Sequence, residues 1–318
     1  MKQQNKIQDR RDFIKNTSLL SLCAATGLTF SSDSAAAGPA IPKTGGSRLK
    51  VSLNAYSFDS LLLANLKDKN AGMSLMELLD FCALHNFDAI DSTAYYFPGY
   101  PKVPSNACLN DFKRRAFHLG LEISGTGVRN NFAQPDKAKR AADVALVKEW
   151  IEAAARLGAP VIRVFAGTES AGYTRQQVLD WMVEDLRQCV EYGKNYGVMV
   201  GVQNHGDFLK TADQTIEVVK RVDSEWFGVI VDTGNFQTED PYQDVARVLP
   251  YAVNWQVKEQ VRKGVRMDLK RLIQVIRAGG YRGCLPIETL VEEGKPYDPK
   301  ILIPEFLNKV REAIGTGN

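Results

Sequence analysis

Gly197-Val198-Met199-Val200-Gly201-Val202-Gln203-Asn204-His205-Gly206-Asp207-Phe208 is an apolar run that ends abruptly in small and polar residues. A short apolar run bounded by turn residues reads as a strand buried on both faces, with its polar tip opening a loop. Two later stretches end the same way. Gly228-Val229-Ile230-Val231-Asp232-Thr233-Gly234-Asn235 stops at Asp232, and Leu285-Pro286-Ile287-Glu288-Thr289 stops at Glu288. In a barrel of alternating strands and helices, catalytic groups gather at such strand tips.

Outward from this stretch the alternation continues in both directions. Strands are expected near 49–54, 88–91, 121–125, 161–165, 253–258 and 284–288. Between them helical patterns run near 74–85, 110–119, 137–157, 175–196, 212–221, 242–249, 269–278 and 301–314. Ser74 with Glu77 three residues on is a capping box. Eight strand–helix units in this length predict a single α/β domain, a (β/α)8 TIM barrel over 49–318. A doubly wound sheet is the competing architecture, but no Gly-x-Gly-x-x-Gly follows the first strand.

The N-terminus reads differently. Arg10-Arg11-Asp12-Phe13-Ile14-Lys15 is a twin-arginine pattern, followed by an apolar stretch from Ser18 to Phe30 that is too short to span a membrane. Ala35-Ala36-Ala37 offers small residues for cleavage, so 1–37 is expected to be an export signal and 38–48 a linker. This predicts a periplasmic protein. Anchoring as a lipoprotein at Cys23 ranks second, because Leu22 is larger than the residue such sites normally take.

Cleavage after Ala37 leaves 281 of the 318 residues. It removes five basic and three acidic residues, which lowers the formal net charge from +3 to +1. Such a balance gives no reason to expect nucleic acid as a partner. Cys82, Cys108, Cys189 and Cys284 lack metal-type spacing and read as free thiols.

Position separates the three histidines. His85 and His118 close helices just before strands, on the barrel face associated with stability, and are expected to be structural. His205 lies at the opposite face, and alternation would put it on the same side as Gly201 and Gln203. Asp232 and Glu288 end apolar strands, where a lone carboxylate is rarely buried. With Gln203 and Gln256 they would form an all-oxygen set suited to Mg²⁺ or Mn²⁺ rather than zinc, or a polar plug in the barrel mouth. Asn254, Gln256 and Lys258 share a face, which points Lys258 into the site or toward a rim acid such as Glu259. Aromatic residues crowd the loops: Tyr56, Phe58, Tyr95, Tyr96, Phe97, Tyr100, Phe132, Phe208 and Phe236. They suit either the C–H faces of a sugar or the core of a lid.

These tips resemble the sugar phosphate isomerase/epimerase family of xylose-isomerase-like TIM barrels, most strongly from Val198 to Leu290. That family has a Glu at the fifth strand tip, often followed by Asn-His, then Asp-Thr-Gly-Asn, His-x-Lys-Asp and a final Glu. The four groups bind one divalent metal, and the two glutamates exchange protons with the substrate. This chain keeps Asp232 in Asp232-Thr233-Gly234-Asn235, Glu288, and Asn204-His205. It has Gln203 in place of the Glu, and Gln256-Val257-Lys258-Glu259 in place of His-x-Lys-Asp.

By resemblance, Gln203, Asp232, Gln256 and Glu288 are the metal positions. Asn204, Asn235, Arg262, Tyr56 and Tyr96 are expected at the substrate. Glu288, His205 and Lys258 are expected to carry the chemistry. Gln203 cannot accept a proton near neutral pH, so Glu288 is left as the one obvious base of the family pair. Exported relatives with these variant motifs look like enzymes acting on keto-glycosides. The resemblance therefore implies a metal-assisted lyase that enolises a 3-keto-glycoside and eliminates its aglycone. An isomerase or epimerase of an unphosphorylated keto-sugar, with His205 as second base, and a non-catalytic sugar-binding protein are the alternatives. The related endonucleases acting on abasic DNA need more histidines than this chain has.

Overall fold

A computed structural model describes residues 46–206, 208–262, 264–292 and 294–315. The export signal expected over 1–37, with Cys23, lies outside the described residues, as does nearly all of the linker. From the first described residues the chain alternates as the periodicity predicts. The elements are β1 (Arg48–Asn54), α1 (Asp59–Lys67), α2 (Leu75–Leu84), β2 (Ala89–Asp91), α3 (Asn106–His118) and β3 (Glu122–Gly127). They continue as α4 (Lys137–Leu157), β4 (Val161–Phe165), α5 (Arg175–Tyr196), β5 (Met199–Gln203), α6 (Ala212–Val222) and β6 (Phe227–Asp232). The C-terminal part holds α7 (Pro241–Val248), β7 (Ala252–Lys258), β8 (Gln260–Arg262), β9 (Val265–Arg266), α8 (Leu269–Ala278), β10 (Arg282–Glu288) and α9 (Pro299–Gly315).

Eight parallel strands close a barrel in the order β1-β10-β7-β6-β5-β4-β3-β2. This is the (β/α)8 architecture expected from the sequence. The helices start and stop where local chemistry dictates. Ser74 accepts from the Glu77 amide at 3.2 Å, while the Glu77 carboxylate takes the Ser74 amide at 2.7 Å. Thr174 and Gln177 form a second such box on α5. Gly158 and Gly197, both left-handed (φ 81° and 68°), stop α4 and α5.

Three elements escape the sequence pattern. Helix α1 fills the loop after β1, which the sequence presents only as aromatic residues. β8 and β9 pair as a small antiparallel hairpin outside the barrel. α3 also begins four residues before its expected start, because Ser105 caps it by accepting from the Cys108 amide at 3.3 Å. His85 caps α2 and His118 ends α3, so both lie on the stability face. Cys82, Cys108, Cys189 and Cys284 are free, and among the described residues no helix is long and apolar enough to cross a membrane.

The barrel is narrow where β6 meets β7. A methyl group on Gly228 would lie 2.3 Å from Val253 Cγ1 and 2.7 Å from the Tyr251 carbonyl oxygen. The second neighbour is backbone and cannot rotate away. Gly228→Ala is therefore expected to lower stability by about 1–3 kcal/mol, read as a lower urea midpoint. An unchanged midpoint would show that the two strands can spread there.

Candidate active site

The parallel register brings the polar tips level. Asp232 pairs with Gln256 between β6 and β7, and Glu288 with Lys258 between β10 and β7. Gln203, Asp232, Gln256 and Glu288 are all buried, and Asp232 is fully so. The Lys258 ammonium bridges the two carboxylates, 3.0 Å from Asp232 Oδ2 and 3.2 Å from Glu288 Oε1. Glu259, the other partner open to Lys258 in the sequence, pairs with Arg266 at 3.0 Å instead.

The remaining bonds fix this cluster. Gln203 Nε2 donates to Asp232 Oδ2 at 2.7 Å and to Gln256 Oε1 at 2.5 Å. Gly234 N donates to Asp232 Oδ1 at 3.0 Å. Asn204 uses both ends of its amide to clamp β5 to β6: Nδ2 donates to the Asp232 carbonyl at 2.9 Å, and Oδ1 takes the Asp232 amide at 2.7 Å. Asn204 is therefore a positioning residue for Asp232, in place of the substrate contact expected of it.

Burial raises the Glu288 carboxyl above the ordinary glutamate value of 4.5, against the opposing pull of Lys258; the nearby Asp232 charge adds to the rise. Lys258 runs the other way. Burial works against its charge, but Asp232 and Glu288 outweigh that and hold the ammonium above its usual value.

A second buried layer lies among the same strand ends. Asp91, at the tip of β2, accepts from Asn254 Nδ2 at 3.2 Å. Gly125 gives them room, since a methyl there would lie 2.8 Å from that nitrogen and 2.9 Å from Asp91 Oδ2. Arg163, on β4, is buried and donates to the Val128 carbonyl at 2.8 Å and to the Tyr95 hydroxyl at 2.6 Å. Burial lifts Asp91 to about 6, with Arg163 opposing and Glu288 assisting the rise. Neither residue was singled out from the sequence, although an arginine inside Val161-Ile162-Arg163-Val164-Phe165 is a charge in an apolar run and so carried a signal.

Asp91 has a direct consequence for stability. Its folded value lies above the ordinary 3.8, so the fold favours its protonated form. That contribution is full below 3.8 and lost as pH rises through about 6, a swing of about 3 kcal/mol. Asp91→Asn should thus be more stable than the wild type at pH 8, by on the order of 1–3 kcal/mol, and no more stable near pH 4. Urea midpoints at the two pH values check it, and equal midpoints at pH 8 would contradict it.

Other expected residues are distributed as follows. His205 is exposed and its ring lies 4.8 Å from that of Phe165. β5 ends at Gln203, so strand alternation does not reach His205; it sits on the rim, outside the buried cluster. Tyr96 is buried, and its hydroxyl donates to Asp59 Oδ1 at 2.8 Å, so it braces α1 where a sugar contact was expected. Phe58, Tyr95, Phe97, Phe132, Phe208 and Phe236 are likewise buried. Most of the aromatic loop residues therefore belong to the hydrophobic core, while Tyr56 stays exposed. Arg262 belongs to β8, and its side chain lies outside the described residues.

Above the cluster opens a cavity of about 610 Å³, within the range of small-molecule sites. Lys258 and Glu288 line it together with Asn235, Gln260, Leu290 and Val291. Asn235 Nδ2 is buried with no partner among the described residues, a donor left available to a ligand. The hairpin is tied to the loop after β10 by Gln260, which donates to Glu292 Oε1 at 2.6 Å and accepts from Gly264 N at 2.9 Å.

The donor set fits a divalent metal poorly. Among the described residues no group of three or more His, Cys, Asp and Glu side chains could hold one. Asp232 Oδ2 already takes Lys258 and Gln203, Oδ1 takes Gly234, and Gln203 turns its amide nitrogen inward. The expected metal set of Gln203, Asp232, Gln256 and Glu288 is thus a hydrogen-bonded cluster closed around an ammonium.

The chain is similar to several proteins of this architecture. It is 26% identical over 263 residues to an uncharacterized protein, MJ1311, of Methanocaldococcus jannaschii, spanning 76% of this chain and 87% of that one. The D-psicose 3-epimerase of Clostridium cellulolyticum superimposes with a TM-score of 0.68 at 17% identity, covering 83% of this chain and 99% of the other. The 3-keto-D-glucoside 4-epimerase YcjR of E. coli gives 0.65 at 14% identity, with 84% and 99% covered. At such identities the likeness is one of fold. Residues 79–308 match the model of the xylose isomerase-like TIM barrel family, and the chain belongs to that family.

Proposed function

We propose that the protein is an enzyme that enolises a keto-sugar, and that it is a lyase cleaving a 3-keto-glycoside by β-elimination. The observation that carries this reading is the buried Glu288 carboxylate facing the cavity with the Lys258 ammonium 3.2 Å away. A base beside a fixed cation is what proton abstraction next to a carbonyl requires. In a 3-keto-glucoside the ketone acidifies the proton on C2. Glu288 takes that proton, and the electron pair moves onto the ketone oxygen, where the ammonium stabilises it. Collapse of the enolate breaks the C1–oxygen bond, and the proton on Glu288 leaves with the aglycone alcohol. The other product is an unsaturated keto-sugar, and no redox partner enters.

Fold likeness to epimerases of D-psicose and of 3-keto-D-glucoside supports the keto-sugar class. An isomerase or epimerase needs a second proton carrier on the opposite face. His205 on the rim and Asp91 in the barrel are the residues available for that reading. The twin-arginine pattern supports action in the periplasm.

Incubation with p-nitrophenyl 3-keto-β-glucoside tests the proposal. Release of nitrophenol with an enone absorbance is the expected result. An epimerised sugar with its glycosidic bond intact would replace the lyase with an epimerase. Binding without any conversion would leave a sugar-binding protein.

A further inference from the structure

We infer that the Lys258 ammonium takes the place of a divalent cation in this site, so that Glu288 and Asp232 are held and neutralised by the chain itself. The catalytic part of this inference rests on the keto-sugar reading; the cation part does not.

The argument starts from what each oxygen already does. A divalent ion at the strand tips would need Asp232 and Glu288 together with oxygens from Gln203 and Gln256. Lys258 Nζ lies 3.0 Å from one carboxylate and 3.2 Å from the other, which is the space such an ion would need. An ion bound there would face the ammonium at short range and be repelled by it. The ammonium is held in place by the same two carboxylates, and the Lys258 side chain is only 12% exposed.

Gln203 supports the same conclusion independently. Its amide nitrogen donates to both Asp232 and Gln256, so it presents hydrogens where a metal ligand would present a lone pair. Turning the amide over would set its oxygen against two acceptor oxygens. The Gln256 oxygen is occupied by the same bond. Gln203, Gly234 and Lys258 therefore satisfy Asp232, and Glu288 shares the same ammonium through Oε1.

In the proposed reaction the ammonium has two tasks. It lies between the Asp232 and Glu288 carboxylates, and it offers a fixed positive charge to the enolate oxygen. Lys258 would then touch the reacting atoms and count as a catalytic residue.

Metal content and thermal melting test this without reference to substrate. The protein, purified without chelator, should carry less than about a tenth of an equivalent of Mn, Mg or Zn by elemental analysis. Neither EDTA nor millimolar Mn²⁺ should move its melting midpoint. Lys258→Ala opens the cation position, so Mn²⁺ should raise the midpoint of that variant by several degrees while leaving the wild type unmoved. Stoichiometric metal in the wild type, or an Mn²⁺ shift as large as in the variant, would overturn the inference. If Lys258→Ala does not fold, the wild-type measurements still decide it. The keto-glycoside assay separates the two ideas. Turnover lost to EDTA and restored by Mn²⁺ overturns the ammonium and keeps the sugar reading. A metal-free, EDTA-indifferent protein without turnover keeps the ammonium and overturns the sugar reading.

Discussion

Glu288→Gln is expected to lower turnover of a 3-keto-glycoside by about 10³-fold, the scale of a general base, while the fold survives. Glutamine matches the shape of the buried side chain and keeps an oxygen for Lys258. The substitution also removes a carboxylate that burial disfavours. Because the folded value of Glu288 is raised, its favourable contribution is present below 4.5 and fades as pH rises through the folded value. Glutamine carries no such dependence, so the variant should melt at neutral pH within a few degrees of the wild type, the remaining loss being one counter-charge for Lys258. The same raised value sets the acid limb of kcat/KM above 4.5. Wild-type turnover in Glu288→Gln would remove the base from the account.

Lys258→Met is expected to damage both stability and catalysis. It leaves Asp232 and Glu288 buried without the cation that lies within 3.2 Å of both. Breaking a buried charge cluster on one side costs about 3–5 kcal/mol. With the ammonium gone, Glu288 rises further, so the loss should be smallest at acid pH, where the group is protonated in both states, and grow as pH rises. The enolate also loses its fixed positive charge, worth about 10²–10³ in kcat for one oxyanion-stabilising group. Chemical denaturation at pH 5 and pH 8 and the kcat at neutral pH read the two effects separately. A variant equally stable at both pH values, with unchanged kcat, would show that Lys258 is a bystander.

The barrel was legible because its periodicities are long and clean. The span of α4, α5 and α8 follows directly from apolar spacing and the capping residues, and the tips of β5, β6 and β10 from polar groups that close apolar runs. Helix α1 was missed because Leu61-Leu62-Leu63 gives no one-sided stripe and no capping side chain starts it. The β8–β9 hairpin was missed because it has two or three residues a side and buries little.

The site was legible only in part, for reasons that differ from residue to residue. Lys258 could be aimed inward because β7 is regular from Asn254 to its last residue. The same alternation misled at His205, because β5 stops two residues earlier and the chain turns. Asn204 reads as a polar group at a mouth, yet its partners are backbone atoms of β6, which sequence does not display. Asp91 and Arg163 interact through the barrel interior from strands two apart, a closeness that only closure of the sheet creates. The direction of the Gln203 amide depends on two neighbours, Asp232 and Gln256, from two other strands, and with it goes the distinction between a metal site and an ammonium site.

The most direct test of the central claim is solvent exchange at the carbon beside the ketone. The wild type and Glu288→Gln would be incubated with a 3-keto-glucoside in heavy water, and deuterium at C2 of the recovered substrate, together with the unsaturated product, followed by NMR. Loss of the C2 proton with the wild type and none with Glu288→Gln is the predicted result. A C2 proton retained by the wild type, with the sugar bound and unchanged, would contradict it.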